Sequence, residues 1–178
     1  CKSENIDTKK ISPKYILSVI DNWKNKGWYP EEVVIKKKNI LEKGFLSIYK
    51  IYQSKLISLN ACDFSDLILH CVKIFEKNSD IAELYSKNFK FILVDEYQDT
   101  NLIQSKWLNY LAKYNKNICC VGDDDQSIYS WRGAEIKNFL EFDKIYLNTK
   151  IIRLEKNYRS TQNILSVASK LISNNQNR

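Results

Sequence analysis

The chain has 178 residues, of which 44% are hydrophobic and 28% charged, with four glycines and two prolines. This suits one or two soluble globular domains with a sizeable core and argues against disorder. No apolar run approaches the ~20 residues of a membrane span, so no membrane partner is expected. The polar opening Cys1-Lys2-Ser3-Glu4 reads as no signal peptide, and the absence of Met anywhere in the chain suggests part of a longer polypeptide. The five cysteines (1, 62, 71, 119, 120) show no Cys-x-x-Cys spacing. Adjacent Cys119 and Cys120 read as small core residues of a cytoplasmic protein, not as part of a zinc site or disulfide set. A lone His70 offers no metal constellation.

The net charge of +7 is unevenly placed. Residues 1–61 hold 12 basic and 6 acidic side chains, residues 62–150 hold 11 and 14, and residues 151–178 hold 5 and 1. A basic flank beside an acidic centre fits a polyanion-binding region next to a metal-binding one; a solvated Lys-rich surface is the other reading.

In chain order, residues 12–27 read as a helix. Ser12 is the N-cap, Pro13 the first helical residue and Gly27 the stop, with Ile16, Val19, Ile20 and Trp23 at helical spacing. Trp28-Tyr29-Pro30 is a turn, and residues 31–38 start another helix ending in the basic run Lys36-Lys37-Lys38. Gly44 to Leu59 carries Phe45, Ile48, Tyr49, Tyr52, Leu56 and Leu59 on one stripe, an amphipathic helix. Asp63 caps a further helix with apolar Leu67, Ile68, Cys71, Val72, Ile74 and Phe75, and residues 80–87 form a short one.

Phe91-Ile92-Leu93-Val94 then has the length of a buried strand, and it stops in Asp95-Glu96-Tyr97-Gln98-Asp99. Side chains alternate to both faces, so both faces require cover, as in a parallel sheet flanked by helices. Residues 101–114 read as a helix, 117–121 as a second buried strand containing Cys119 and Cys120, 135–142 as a helix, 150–154 as a third strand and 161–174 as a final helix. The alternation predicts an α/β fold with a parallel sheet.

Three strand ends thus carry polar clusters: Asp95 to Asp99, Asp123 to Arg132, and Asn157-Tyr158-Arg159. Parallel strands gather their carboxyl ends on one rim, where ligands bind. A carboxylate pair there can hold hydrated Mg²⁺ and orient a water, or can simply end a strand and cap a helix. With a Gln and an Arg on the same rim, the parts suit phosphoryl transfer, whose catalysis is mostly positioning and charge neutralisation.

Val94-Asp95-Glu96-Tyr97-Gln98-Asp99-Thr100-Asn101, the run Val121 to Ala134 (VGDDDQSIYSWRGA) and Asn157-Tyr158-Arg159-Ser160-Thr161 resemble the second, third and fourth helicase motifs of the UvrD/Rep/PcrA group of superfamily 1 DNA helicases. Asn60 to Ile68 (NACDFSDLI) resembles an upstream signature of that group, with Ser65 where Asp is usual. Ile11-Ser12-Pro13 and Trp23-Lys24-Asn25 resemble its helical insertion, so the resemblance covers nearly the whole chain.

The resemblance implies a partial RecA-like (P-loop NTPase) parallel sheet with flanking helices, preceded by an all-helical insertion. The implied division is 1–61 helical insertion, 62–150 second half of the first RecA-like domain, and 151–178 start of the second. It implies a 3′-to-5′ helicase that uses ATP and Mg²⁺ to translocate on single-stranded DNA and unwind duplex DNA in repair or replication. Asp95 would hold Mg²⁺ through water, Glu96 would deprotonate the attacking water, and Gln126 would sense the γ-phosphate. Arg159 would offset charge on the transferred phosphoryl, and Tyr158 would stack on adenine. Tyr129 and Trp131 would meet single-stranded DNA, with Arg132 bridging DNA groove and nucleotide site.

The chain departs from the family further in containing no Gly-x-x-x-x-Gly-Lys-[Ser/Thr] phosphate loop. In the family that loop lies upstream of residue 1. The isolated segment is therefore expected to be inactive, with exposed sheet edges and an uncovered apolar face open to self-association or completion by a partner. A non-catalytic DNA-binding or assembly remnant of a split helicase, and the helicase part of a helicase–nuclease subunit, are the other readings.

Overall fold

The computed structural model describes residues 11–35 and 40–174. The chain divides into two compact units, Cys1–Leu140 and Glu141–Arg178.

The first helix among the described residues is α1, Pro13–Asn25, set as its sequence dictates. Ser12 Oγ accepts the Tyr15 N–H, Pro13 starts the helix, and Gly27 follows the end with φ +84°, a left-handed value natural to glycine. Residues 31–35 form no helix; the chain turns at 30–32 and then runs irregularly. The Glu32 carboxylate accepts the Tyr29 N–H at 2.7 Å and is also held by Lys73 Nζ, 41 residues on, at 2.5 Å, a tertiary contact that local helix signals do not contain. Lys36, Lys37 and Lys38 lie outside the described residues.

The next helix, α2, spans Ile40–Ser58 and runs through Gly44. Phe45 and Tyr49 of its stripe pack on Ile16, Ile20 and Trp23 of α1, forming one core. Leu59, at the far end of the expected stripe, is exposed.

Helix α3, Phe64–Lys77, has a full capping box: Asp63 accepts the Asp66 N–H and Asp66 accepts the Asp63 N–H. Its buried apolar residues are Leu69, Val72 and Phe75, while Leu67, Cys71 and Ile74 of the expected apolar set are exposed. Helix α4 spans Ser79–Asn88 and α5 spans Leu102–Ala112, the latter with a capping box between Asn101 and Gln104. Leu69, Val72 and Ile103 form a second core, and Phe75, Ala82 and Leu111 a third, against which Ile92 packs.

The sheet has two parallel strands, β1 (Ile92–Val94) and β2 (Ile118–Cys120), in the register Ile92 to Ile118, Leu93 to Cys119 and Val94 to Cys120. The α5 crossover joins them, as a parallel pair requires. One face is covered by α3, α4 and α5. The other is open: Phe91, Leu93, Cys119 and Val121 are exposed, with Leu93 at 83%. The strand pattern's expectation of two covered faces, and of two core cysteines, is therefore corrected, while the open face agrees with the uncovered apolar face expected of a partial sheet. Cys120 is half-buried, and burial, with the neighbouring Cys119, pushes its thiol up to about 12.

Two further expectations change. The helix expected over 135–142 is broken into α6 (Lys137–Leu140) and α7 (Phe142–Ile145), with Glu141 between them in a turn. Residues 150–154 are not a strand; Ile151, Ile152 and Leu154 are 70, 69 and 86% exposed. A strand needs a partner for its backbone groups, and this stretch belongs to the second unit, where no other strand is found among the described residues. That unit ends in α8, Gln162–Ile172, which buries none of its residues. The chain is thus a helix-rich α/β protein with a small parallel sheet.

Candidate functional site

Both strands of the first unit end in polar loops. After β1, Asp95 and Glu96 are exposed and Tyr97 and Gln98 are buried in a 3-10 turn over Tyr97–Asp99. Tyr97 anchors the turn, its N–H donating to the Val121 carbonyl at 2.9 Å and its hydroxyl lying 3.4 Å from Ser105 Oγ. Glu96 is left-handed (φ 51°, ψ 43°), a conformation that costs a non-glycine residue about 1–2 kcal/mol. Its N–H donates to Asp95 Oδ1 at 2.9 Å. Such strain held in place by its surroundings is a mark of functional loops.

Gln98, only 1% exposed, lies between the two strand ends. Its Nε2 donates to Glu96 Oε2 at 2.7 Å, and its Oε1 accepts the Asp123 N–H at 3.0 Å. Asp123 in turn caps the 3-10 turn Asp124–Gln126, accepting the Asp125 N–H at 3.0 Å and Gln126 Nε2 at 2.8 Å. A continuous chain of hydrogen bonds thus runs from Glu96 to Gln126. Its far side is also pinned: Glu135 N–H donates to the Thr100 carbonyl at 2.9 Å, and the buried Asn138 amide donates to the same carbonyl at 3.2 Å.

Between these anchors the loop carries an exposed aromatic pair. Tyr129 and Trp131 have ring centroids 6.3 Å apart, and the Arg132 guanidinium lies 5.6 and 5.5 Å from the two rings. Trp131 is 76% exposed. Gly133 ends the segment with φ +88°.

Of the expected site residues, the first unit brings together Asp95, Glu96 and Gln126 through Gln98 and Asp123, and carries Tyr129, Trp131 and Arg132 on the same loop. Tyr158 and Arg159 belong to the second unit. There Asn157 Oδ1 accepts the Arg159 and Ser160 N–H groups, both at 2.9 Å, and Lys156 Nζ lies 5.0 Å from the Tyr158 ring centre. The gathering of three strand ends on one rim is corrected to two, because the third strand does not form.

A cation at β1 would be a hard one taking oxygen ligands. Asp95 presents an exposed carboxylate at the strand end, and Asp99 Oδ1 is buried with no hydrogen-bond partner. One carboxylate with a retained water shell suits Mg²⁺. Among the described residues no group of three or more His, Cys, Asp or Glu side chains is arranged to hold a metal directly.

Sequence reasoning missed two features, one at the site and one in the helical core. Gln98 was visible only as a member of a motif, because its role depends on a backbone N–H 25 residues away. Lys24 was read only as a member of the Trp23-Lys24-Asn25 stretch, yet it is fully buried, with Nζ 2.6 Å from Asp63 Oδ2 and 2.8 Å from Asp66 Oδ1. A lysine on the apolar side of α1, one residue after Trp23, was the available signal.

Residues 1–146 match the UvrD/REP helicase N-terminal domain. The chain is 48% identical over 178 residues to a probable DNA helicase II homolog of Rickettsia conorii, covering 99% of this chain and 27% of that protein. It is 48% identical over 176 residues to DNA helicase II of Rickettsia typhi, covering 98% and 27%. It is 44% identical over 177 residues to the ATP-dependent DNA helicase PcrA of Bacillus subtilis, covering 99% and 24%. The chain therefore spans about a quarter of the length of the curated relatives it matches. With acidic and aromatic strand-end loops in one unit and a family match over most of its length, this chain belongs to the UvrD/REP helicase family.

Proposed function

We propose that this chain is the central part of an ATP-dependent DNA helicase, acting on single-stranded and duplex DNA with 3′-to-5′ polarity in repair or replication. The observation that carries this reading is the hydrogen-bond chain from Glu96 to Gln126. It joins a carboxylate suited to activating water to an amide suited to sensing a phosphate. In this reading residues 1–61 are the helical insertion, 62–150 the second half of the first RecA-like domain, and 151–178 the start of the second.

Asp95 would hold Mg²⁺ through water, the cation's chemistry being to neutralise phosphate charge. Glu96 takes the proton of the attacking water, its exposed carboxylate held by the Gln98 amide at 2.7 Å. Gln126 meets the γ-phosphate, Arg159 offsets phosphoryl charge, and Tyr158 offers an exposed ring for adenine. Tyr129 and Trp131 stack on bases, and Arg132 sits against both rings where it can reach DNA phosphate. Self-association through the free sheet edges belongs to the same reading, supported by the open apolar face at Leu93 and Val121.

The test is DNA-stimulated ATP turnover in a chimera in which this chain replaces the matching 177 residues of the Bacillus subtilis helicase. The chimera should turn over ATP, Glu96→Gln should lower the rate at least ~100-fold, and the isolated chain should show no turnover. Undiminished turnover in the Glu96→Gln chimera sinks the catalytic assignment.

One observation favours a second reading. The exposed Trp131 ring beside Tyr129, with the Arg132 guanidinium against both, also suits a non-catalytic DNA-binding module. Salt-sensitive single-strand binding without hydrolysis, in any context, supports that alternative.

A further inference from the structure

Gln98 makes two bonds of opposite kind with one planar amide. Nε2 donates to the Glu96 carboxylate at 2.7 Å and Oε1 accepts the Asp123 N–H at 3.0 Å. The amide orientation follows from its partners, since a carboxylate can only accept and a backbone N–H can only donate. Few side chains fit this post. A glutamate would face Glu96 with a second carboxylate, an asparagine is one methylene short, and a methionine fills the volume with neither bond.

The surroundings are shaped to Gln98. Gly122 lies so close that a Cβ there would stand 2.5 Å from Gln98 Oε1 and 2.9 Å from Phe139 Cε2. Beyond Asp123 the connection continues, because the Asp123 carboxylate accepts Gln126 Nε2 at 2.8 Å. At the other end Glu96 sits in a strained left-handed backbone, so its carboxylate depends on side-chain support for its direction.

We propose that Gln98 is a positioning residue that couples the aim of the Glu96 carboxylate to the conformation of the Gln126 loop, so that the two respond as one unit. This rests on the reading of Glu96 and Gln126 as the hydrolytic and phosphate-sensing groups. In that setting a shift of the Asp123–Gln126 turn on meeting phosphate pulls on Asp123 N–H, and Gln98 passes the change to Glu96. The aim of the carboxylate then follows the state of the loop.

The coupling is testable without nucleotide or metal, by amide NMR of the ¹⁵N-labelled 178-residue chain. Glu96→Ala should displace the Asp123 backbone N–H and Gln126 side-chain amide signals. In a Gln98→Met background the same change should leave both signals still. Gln98→Glu alone should displace them by setting two carboxylates face to face, and the reversed pair Glu96→Gln with Gln98→Glu should return them towards their original positions. A purely structural Gln98 predicts no such restoration. A Glu96→Ala response that persists in Gln98→Met overturns the proposal. If Gln98→Met does not fold, the near-isosteric Gln98→Glu and its reversed pair decide alone, and equal displacement in both overturns it. The functional reading fails separately: a Glu96→Gln chimera with full turnover removes the hydrolytic role and leaves the measured coupling standing.

Discussion

Lys24 and Asp63 form a part-buried ion pair 39 residues apart in sequence, with Nζ 2.6 Å from Oδ2 and the lysine side chain fully inaccessible. Asp66, also fully buried, lies 2.8 Å from the same ammonium, so the capping box of α3 doubles as the counter-ion of α1. Tyr52 of α2 donates to Asp63 at 3.0 Å and Gln53 to Asp66 at 3.1 Å. Three helices therefore meet at one charge cluster. Lys24→Met should destabilise the chain by about 3–5 kcal/mol, because it leaves a buried carboxylate uncompensated. Combining it with Asp66→Asn should cost less than the sum of the single changes, a non-additivity readable from denaturant midpoints.

The same region makes stability fall in acid. Burial alone would raise the Asp63 carboxyl, but the Lys24 bond and the Asp66 N–H bring it below its usual value. Glu32 and Glu76 follow the same pattern: burial opposes ionisation, and Lys73 for the first, or Lys106 and Lys73 for the second, outweighs it. A folded-state value below the unfolded one means stability that is present above about pH 4 and lost as pH falls through the folded values. Melting temperature should be flat from pH 7 down to about 5 and drop steeply below 4. Lys73→Met should reduce the acid-dependent part, since Lys73 Nζ lies 2.5 Å from Glu32 and 3.1 Å from Glu76.

Gly122→Ala tests the tight join between the two loops. Its Cβ would clash with the Gln98 amide and the Phe139 ring. Overpacking of this kind costs about 1–3 kcal/mol. Phe139→Leu in the same chain should recover part of the loss but leave the Gln98 clash, so the Asp123 N–H should lose protection from hydrogen exchange even when stability is largely restored.

What could be read from the sequence was whatever local chemistry decides. Ser12, Pro13 and Gly27 bound α1 by capping and backbone rules that need no tertiary partner, and Asp63 caps α3 for the same reason. The strands at Ile92 and Ile118 and their acidic ends were legible from apolar runs that stop abruptly. Features that depend on distant groups were not legible. Lys24 is buried only because Asp63 and Asp66 return to meet it. Residues 150–154 have strand composition, but hydrophobic alternation cannot supply the neighbour whose backbone would pair with them. Cys119 looks like core by residue type and lies exposed on the open face of the sheet. At the site, acids and aromatics announced themselves by type, whereas the post held by Gln98 emerged only from its geometry.

Trp131 separates stability from DNA contact. At 76% exposure its ring contributes little to the core, so Trp131→Ala should change stability by less than about 0.5 kcal/mol. If the ring stacks on a base, the same change should weaken single-strand affinity by about 1–3 kcal/mol, which is roughly 5- to 150-fold. Arg132 makes a different prediction, because its guanidinium lies 5.5 Å from the Trp131 ring and carries charge that phosphate would recognise. Arg132→Ala should weaken binding and also reduce the slope of log affinity against log salt by about 1, whereas Trp131→Ala should leave that slope unchanged. Titrating a fluorescent oligothymidylate with the chain at several salt concentrations measures both quantities. Equal slopes for all three proteins would remove Arg132 from the phosphate-contact role, and wild-type affinity in Trp131→Ala would remove the stacking role from this loop.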